Sequence, residues 1–319
     1  MKYILGLEGT SHTLGFCVTT KEGEILFEKR NTYFPTEGLN PIEVAQVHKN
    51  RLIFFVSQFL KKFSFSEIQE VVWSKGPGFG SSLRVVAAFC RGLKLSYPHL
   101  RFYGVHHGLA HIYSHMFLNS LKDPLVVFLS GGHSCIGFLK NNSFCPLLET
   151  TDIPLGNFFD KVGRLLGIGG YFGPVCEEYA KKNIEPLLKY PSPKIGSTFT
   201  FSGLLEKTKA YASTESKERI CASLQETCFN AILEGLEQAY WFSPKQEVIL
   251  TGGVASNKAL QDKVAKFCEQ NKLKYVPTSE ENNRDSGRMF CFSKTFIKTK
   301  ENSLEELVHN SSWNFISEF

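Results

Sequence analysis

The sequence predicts an α/β protein of two similar lobes with a cleft between them. Three observations predict it. The chain has 319 residues, 42% of them hydrophobic and 21% charged, enough for more than one small core. Two stretches, one at the N-terminus and one near residue 125, each run strand–turn–strand into α/β alternation. Both carry small and hydroxyl residues at the turn, EGTSHT at 8–13 and SGGHS at 130–134. Glycine turns recur at strand–helix junctions: EGT (8–10), SGGH (130–133), GGYFGP (169–174) and TGGVASN (251–257). Such turns let backbone N–H groups approach a ligand at strand ends, and together they fit a nucleotide cleft.

The first lobe covers 1–121. Residues 1–7 read as a buried strand, and 13–20 and 25–31 as strands about a turn at 21–24. Val44, Val47, Leu52, Phe55, Phe59 and Leu60 recur at helical spacing and predict a helix over 41–63. A strand at 68–74 precedes KGPGFGSSLRVVAAFCRGL, a glycine loop entering a helix. A short strand at 102–105 leads into the histidine-rich helix of GVHHGLAHIYSH. The second lobe covers 122–284. LVVFLSGGHSCIGFL reads as two strands about a glycine turn, 157–166 as a helix, and GIGGYFGP as a turn before a helix from Val175. Residues 189–202 read as an exposed loop, 216–241 as a long helix, VILTGGVASN as strand, turn and helix start, and 274–277 as a strand. A last helix is predicted over 285–297, and the segment at about 285–319 is a candidate to complete the first lobe.

Composition narrows the class. The nine cysteines are odd in number, irregularly spaced and without a CxxC, so they read as reduced core residues of a cytoplasmic protein. No apolar run reaches the ~18 residues of a membrane helix. The opening reaches Glu8 too soon for a signal peptide. A net charge of +5 permits a nucleic-acid partner without requiring one.

His107 and His111 stand four residues apart, which on a helix puts two imidazoles on one face as candidate metal ligands. The competing reading is a helix with incidental histidines. His115 continues the face but lies ~12 Å along the axis from His107, too far to share an ion. The zinc-protease motif needs a glutamate after the first histidine, and Gly108 stands there, which weighs against peptide hydrolysis. Asp285, in NNRDSGRMF, is either a helix N-cap or a third ligand. Asp160 and Glu177 flank the third glycine turn, where carboxylates suit ribose hydroxyls or surface ion pairs equally. Two imidazoles favour iron or zinc over the magnesium of a plain kinase.

The ordered motifs GLEGTSHTLG, KGPGFGSSLRV, GVHHGLAHI, LSGGHS, FDKVGRLLG, GPVCEEYA, FTFSGL, SLQET, LTGGVASN and RDSGRMF span about 4–292. On them the chain resembles the tRNA threonylcarbamoyladenosine transferase family, the O-sialoglycoprotease-like catalytic subunit of KEOPS, in its archaeal–eukaryotic branch. The resemblance implies an ASKHA fold, that of actin, Hsp70 and sugar kinases. It implies one divalent metal, iron or zinc, on His107, His111 and Asp285. It also implies substrate contacts from Phe128, Leu129, Ser130, Gly131, Gly132, Asp160, Gly173, Glu177 and Asn257. Gly9, Thr10 and His133 are candidates to face phosphate. The implied reaction moves a threonylcarbamoyl group from threonylcarbamoyl-AMP to the exocyclic amine of the adenosine beside the tRNA anticodon, releasing AMP. ATP is a second candidate occupant of the same cleft. The implied partners are tRNA, a kinase-like ATPase subunit and a small dimer-forming subunit, with no membrane; the kinase is expected as a separate protein. The basic stretch 189–209 and Lys61/Lys62 are candidate tRNA or partner contacts, or plain solvated surface.

Three positions depart from the family pattern: Phe128 where tyrosine is usual, Cys135 where a polar residue is common, and Ser286 where asparagine is usual. Phenylalanine removes a hydroxyl that would reach the metal and leaves three protein ligands. No side chain stands out as the general base. Glu8 is the one weak catalytic candidate, because kinases of this architecture usually have an aspartate there. The alternative reading is an ASKHA ATPase or phosphotransferase without tRNA chemistry, which has no use for the histidine pair. A scaffold that lost its chemistry would be expected to lose that pair.

Overall fold

The computed structural model describes residues 2–33, 40–140, 143–168 and 172–313. The chain divides into two compact units, Met1–Ser120 with Asp285–Phe319, and Leu121–Arg284.

In the first unit, β1 (Tyr3–Glu8), β2 (Thr13–Thr19) and β3 (Ile25–Thr32) form a meander. The chain continues through α1 (Pro41–Phe59), β4 (Ile68–Gly76), α2 (Gly80–Ser96), β5 (Arg101–His106) and α3 (His107–Asn119). The sheet order is β3-β2-β1-β4-β5, with β1 antiparallel to β2 and parallel to β4. α1 begins where Asn40 accepts the Ile42 N–H and proline fills the first turn. Leu52, Phe55 and Phe59 of α1 and Val86, Cys90 and Leu93 of α2 close over Leu5, Leu7, Phe16 and Trp73 in one core. α1 stops at Phe59, four residues short of the sequence expectation, where Leu60 is half exposed and no longer faces that core.

The second unit contains β6 (Leu125–Leu129), β7 (Ser134–Lys140), β8 (Ser143–Thr150), α4 (Leu155–Leu165) and α5 (Phe172–Lys182). It continues with β9 (Lys194–Ile195), β10 (Thr198–Phe199), α6 (Ser202–Tyr211), α7 (Lys217–Phe242), β11 (Glu247–Thr251), α8 (Lys258–Gln270), β12 (Lys274–Tyr275) and α9 (Glu280–Asn283). Its sheet runs β12-β11-β6-β7-β8-β10-β9. α7 starts at Ser216, whose hydroxyl accepts the Arg219 N–H, and buries Ile220, Leu224, Cys228, Ile232, Leu236 and Ala239 at helical spacing.

Several elements differ from the sequence expectation. β8 contains Pro146, which argues against a strand. A register shift between Ile136 and Gly137 accommodates it, and β10 pairs only with Glu149 and Thr150 beyond it. The expected loop at 189–202 holds the short β9 and β10, and α6 follows it. α5 begins at Phe172, with Pro174 in its first turn, where a missing N–H costs nothing. Residues 169–171 of the expected GGYFGP turn lie outside the described residues.

The chain re-enters the first unit with α10 (Gly287–Ser293), seven residues long rather than the helix expected over 285–297. It rests on the sheet face opposite α1 and α2. A Cβ on Gly6 would stand 2.1 Å from the Gly287 carbonyl oxygen, and one on Gly15 2.3 Å from the Gly287 nitrogen. Only glycine permits such backbone contact. From residue 294 to 313 the chain is irregular and runs along the first unit, where Asn302 N–H donates to the Phe102 carbonyl (2.7 Å) and Asn310 N–H to that of Lys75 (2.7 Å).

Candidate metal centre

α3 follows β5 directly. His106 ends the strand and caps the helix, its Nδ1 accepting the Gly108 N–H at 3.1 Å. His107 and His111 then occupy successive turns of one face, their rings 4.9 Å apart and nearly perpendicular. Asp285 stands just before α10. It is not the helix N-cap, a position taken by Ser286. Its Oδ1 lies 3.1 Å from His111 Nε2 and 3.5 Å from His107 Nε2. The three donor atoms fall within 4.8 Å of one another, and this is the cluster of metal-ligand type among the described residues. Two imidazole nitrogens and a carboxylate oxygen form a donor set that suits iron(II) or zinc. His115 is buried one turn further on and is not in the cluster.

Glu8 is fully buried. Its Oε1 accepts from the Thr10 N–H at 2.8 Å and from the Thr10 hydroxyl, and its Oε2 lies 3.4 Å from His107 Nδ1. Thr10 Oγ1 is 3.3 Å from the same nitrogen. A carboxylate behind the imidazole leaves Nε2 to face Asp285, the usual means of orienting a ligating histidine. Gly9 serves a packing role: its N–H donates to Ser74 Oγ at 3.0 Å, and a Cβ there would strike Val86.

Burial pulls the His107 imidazole down, but the Glu8 and Asp285 carboxylates outweigh it and hold it up at about 9. Burial likewise opposes ionisation of Asp285, yet His107 and His111 keep its carboxyl well below the usual range. His48, buried on α1, is pushed down by burial to about 4. His107, raised above its ordinary 6.5, stabilises the fold fully below pH 6.5 and loses that contribution as pH climbs through 9. His48, depressed, has the opposite sign: its contribution is complete above pH 6.5 and disappears as pH falls toward 4. The metal-free protein should therefore be most stable near pH 6.5, with denaturant midpoints declining on both sides. Metal binding should release about one proton per ion at neutral pH. A flat midpoint profile would refute this electrostatic account.

In the second unit, parallel strands β6 and β11 end side by side, and each runs into a glycine turn. Phe128 and Leu129 close β6 and are buried. Ser130 N–H donates to the His133 carbonyl (2.8 Å), and the His133 N–H donates back to Ser130 Oγ (3.0 Å). Burial pushes the His133 imidazole below its ordinary value, so it carries little positive charge for a phosphate at neutral pH. Gly252 needs φ +97 and a bare Cα, because a Cβ would stand 2.4 Å from the Leu129 carbonyl oxygen. Gly132 and Gly253 face open space, where a Cβ would meet nothing within 4 Å, while Gly131 has only Asn157 Oδ1 at 3.6 Å. These are positions where a ligand can approach the backbone.

Asp160 is half-buried on α4, and burial raises its carboxyl against the pull of Arg164. Glu177, on α5, pairs with Lys181 at 2.8 Å. Gly173 lies in the first turn of α5. Asn257 caps α8, accepting the Leu260 N–H, and its Nδ2 donates to Gln225 Oε1 at 3.1 Å. Each end of that amide makes one structural contact and keeps capacity for another, and Gln225, quoted in the SLQET motif without a role, holds it.

Two α/β units with glycine turns at strand ends are the architecture of the ASKHA class. HypF of T. kodakarensis shares it over 92% of this chain and 47% of that one, with a TM-score of 0.65 at 14% identity, a likeness of fold alone. The family model for tRNA N6-adenosine threonylcarbamoyltransferase matches residues 23–290. The chain belongs to that family. It is 35% identical over 296 residues to the tRNA N6-adenosine threonylcarbamoyltransferase of Archaeoglobus fulgidus, covering 91% of this chain and 89% of that protein. It is 37% identical over 279 residues to a probable bifunctional tRNA threonylcarbamoyladenosine biosynthesis protein of Methanocaldococcus jannaschii, covering 86% of this chain. The chain spans about half the length of that bifunctional relative, 52%. No helix among the described residues is long and apolar enough to cross a membrane.

Proposed function

We propose that this protein is a metal-dependent transferase that moves a threonylcarbamoyl group from threonylcarbamoyl-AMP to the exocyclic amine of the adenosine beside the tRNA anticodon. The observation that carries the reading is the convergence of His107, His111 and Asp285 in a chain of this family. An ion held there supplies Lewis acidity toward an acyl or phosphoryl oxygen. His107 and His111 hold it through Nε2, Asp285 through its carboxylate, and Glu8 with Thr10 steadies the far side of His107. In the second unit, the open glycine backbone at Gly131, Gly132 and Gly253 receives the AMP portion, and Asp160 accepts from its ribose hydroxyls. The incoming amine is a weak nucleophile, so positioning carries much of the rate. We assign no general base. The metal is iron or zinc, the working assembly is of KEOPS type with a kinase-like ATPase and a small dimer-forming subunit, and the compartment is the cytoplasm.

The test is direct. The purified chain, with metal, synthetic threonylcarbamoyl-AMP, unmodified tRNA and authentic partners, should form the modified nucleoside, read by mass spectrometry. No product under those conditions overturns the proposal. Glu8→Gln should fold normally and bind metal about 10- to 100-fold more weakly. Wild-type affinity and wild-type transfer in that variant would show that Glu8 only braces the turn.

A further inference from the structure

His107, His111 and Asp285 all belong to the first unit, as do α10 and the sheet beneath it. Asp285 stands two residues before α10, so the seat of that helix sets where its carboxylate falls. Seven residues make too short a helix to hold a position alone, and packing must do it. Gly6 and Gly15 let α10 press against β1 and β2. Cys291 Sγ lies 3.6 Å from the Ile4 carbonyl oxygen and 3.5 Å from that of Cys17. Phe292 stacks on Phe117 of α3, with ring centroids 4.9 Å apart. These contacts keep α10 close to the sheet and to α3. A steric seat on glycines does not by itself choose a rotation about the helix axis.

An ion pair does. Arg288 is the one charged residue of α10. Its Nε donates to Glu28 Oε1 at 2.7 Å, and its Nη2 donates to Glu28 Oε2. Glu28 lies on β3, the edge strand, opposite Cys17 of β2. Alternation along β3 sends Phe27 into the core under α1 and α2, and Glu28 to the face that carries α10. The Arg288 and Glu28 side chains are 20% and 19% exposed, so the pair is largely shielded from salt. Two parallel bonds from a planar guanidinium fix direction as well as distance. A metal site needs its ligands within about 0.5 Å of the productive geometry. Arg288 is three residues from Asp285, about one helical turn, so a roll of α10 that the pair prevents would carry the carboxylate away from the imidazoles.

We propose, resting on the metal reading above, that Glu28 and Arg288 are positioning residues of the metal centre: their two-bond ion pair clamps α10 to β3 and fixes where Asp285 stands against His107 and His111. Neither residue is a ligand. The pair acts through geometry, not through its charges, and this sets the sign of the test. A purely electrostatic influence on a bound cation would have opposite signs at the two positions: removing Glu28 would weaken binding and removing Arg288 would strengthen it. A clamp weakens binding from either side.

The test titrates the full chain with Zn²⁺ against a chromophoric chelator and follows folding by circular dichroism and denaturant midpoints. Glu28→Ala and Arg288→Ala should each weaken Zn²⁺ affinity about 10-fold. The double variant should lose no more than either single one, because one interaction is removed in all three. Arg288→Lys, which keeps the charge and loses the fork, should also bind Zn²⁺ more weakly than wild type. Leu93→Ala, which opens the core on the other face of the sheet, should cost stability and leave Zn²⁺ affinity unchanged. Unchanged or tighter binding in Arg288→Ala, additive losses in the double variant, or equal weakening in Leu93→Ala would overturn the clamp. If an alanine variant does not fold, Arg288→Lys decides by the same readout. A wild-type chain that binds no Zn²⁺, or binds it equally well without His107 and His111, would instead overturn the metal reading itself.

Discussion

His107→Ala combined with His111→Ala is expected to abolish stoichiometric metal binding and to lower threonylcarbamoyl transfer by about 10³-fold or more. Two of three donors are removed, and the loss of several kcal/mol of Lewis-acid stabilisation translates into that factor. The fold should survive, because α3 is held by Leu109, Ile112 and Met116, all buried on other faces. Without the imidazoles the Asp285 carboxyl should rise, since burial opposes its ionisation and His107 and His111 are what hold it down. Metal content by elemental analysis and single-turnover transfer are the measurements. His115→Ala is the control: it empties a buried position and costs stability, yet metal content should stay at the wild-type level. Undiminished transfer by the double variant would dispose of the metal assignment.

Gly287→Val should destabilise the protein by about 3 kcal/mol and weaken metal binding with it. A Cβ on Gly287 would stand 2.6 Å from the Cys17 nitrogen and 2.7 Å from the Gly6 carbonyl oxygen. Those are backbone atoms of β2 and β1 and cannot swing aside like a side chain. α10 would have to lift from the sheet, carrying the chain two residues before it, and Asp285 would leave the histidines. Gly92→Ala offers the contrast. It lies on the exposed side of α2 with nothing within 4 Å of the added carbon, and should gain about 0.5–1 kcal/mol from helix propensity. Denaturant midpoints and zinc titration report both. A Gly287→Val protein of wild-type stability and affinity would show that α10 tolerates displacement.

The readable parts of this fold were those whose signal is local. The β1–β2–β3 meander reads from short apolar runs about turns, and α7 and the His107/His111 pair from the 3.6-residue period of a helix. β8 was missed since Pro146 contradicts a strand, and only the bulge opposite it resolves the conflict. α6 was passed over because its ten residues bury just Leu204 and Thr208, too few for a clear stripe. The last helix was overextended: past Ser293, KTFIKTK sets only Phe296 and Ile297, adjacent to each other, among lysines and threonines, which is no stripe at helical spacing.

The sequence by itself determined the α/β class and the pairing of two imidazoles one helical turn apart, which rest on spacing along the chain, and its ordered motifs carried the resemblance to the family. Whether Asp285 caps a helix or stands beside His111, 174 residues away, was decided only by tertiary structure. The deciding contact is the seat of α10 on Gly6 and Gly15. Glu8 changed meaning for the same reason. Its place in an EGT turn offered it as a weak catalytic candidate, and the fold buries it against Thr10 and His107. Neither contact has a period, because each joins segments that only the folded chain brings within hydrogen-bond reach.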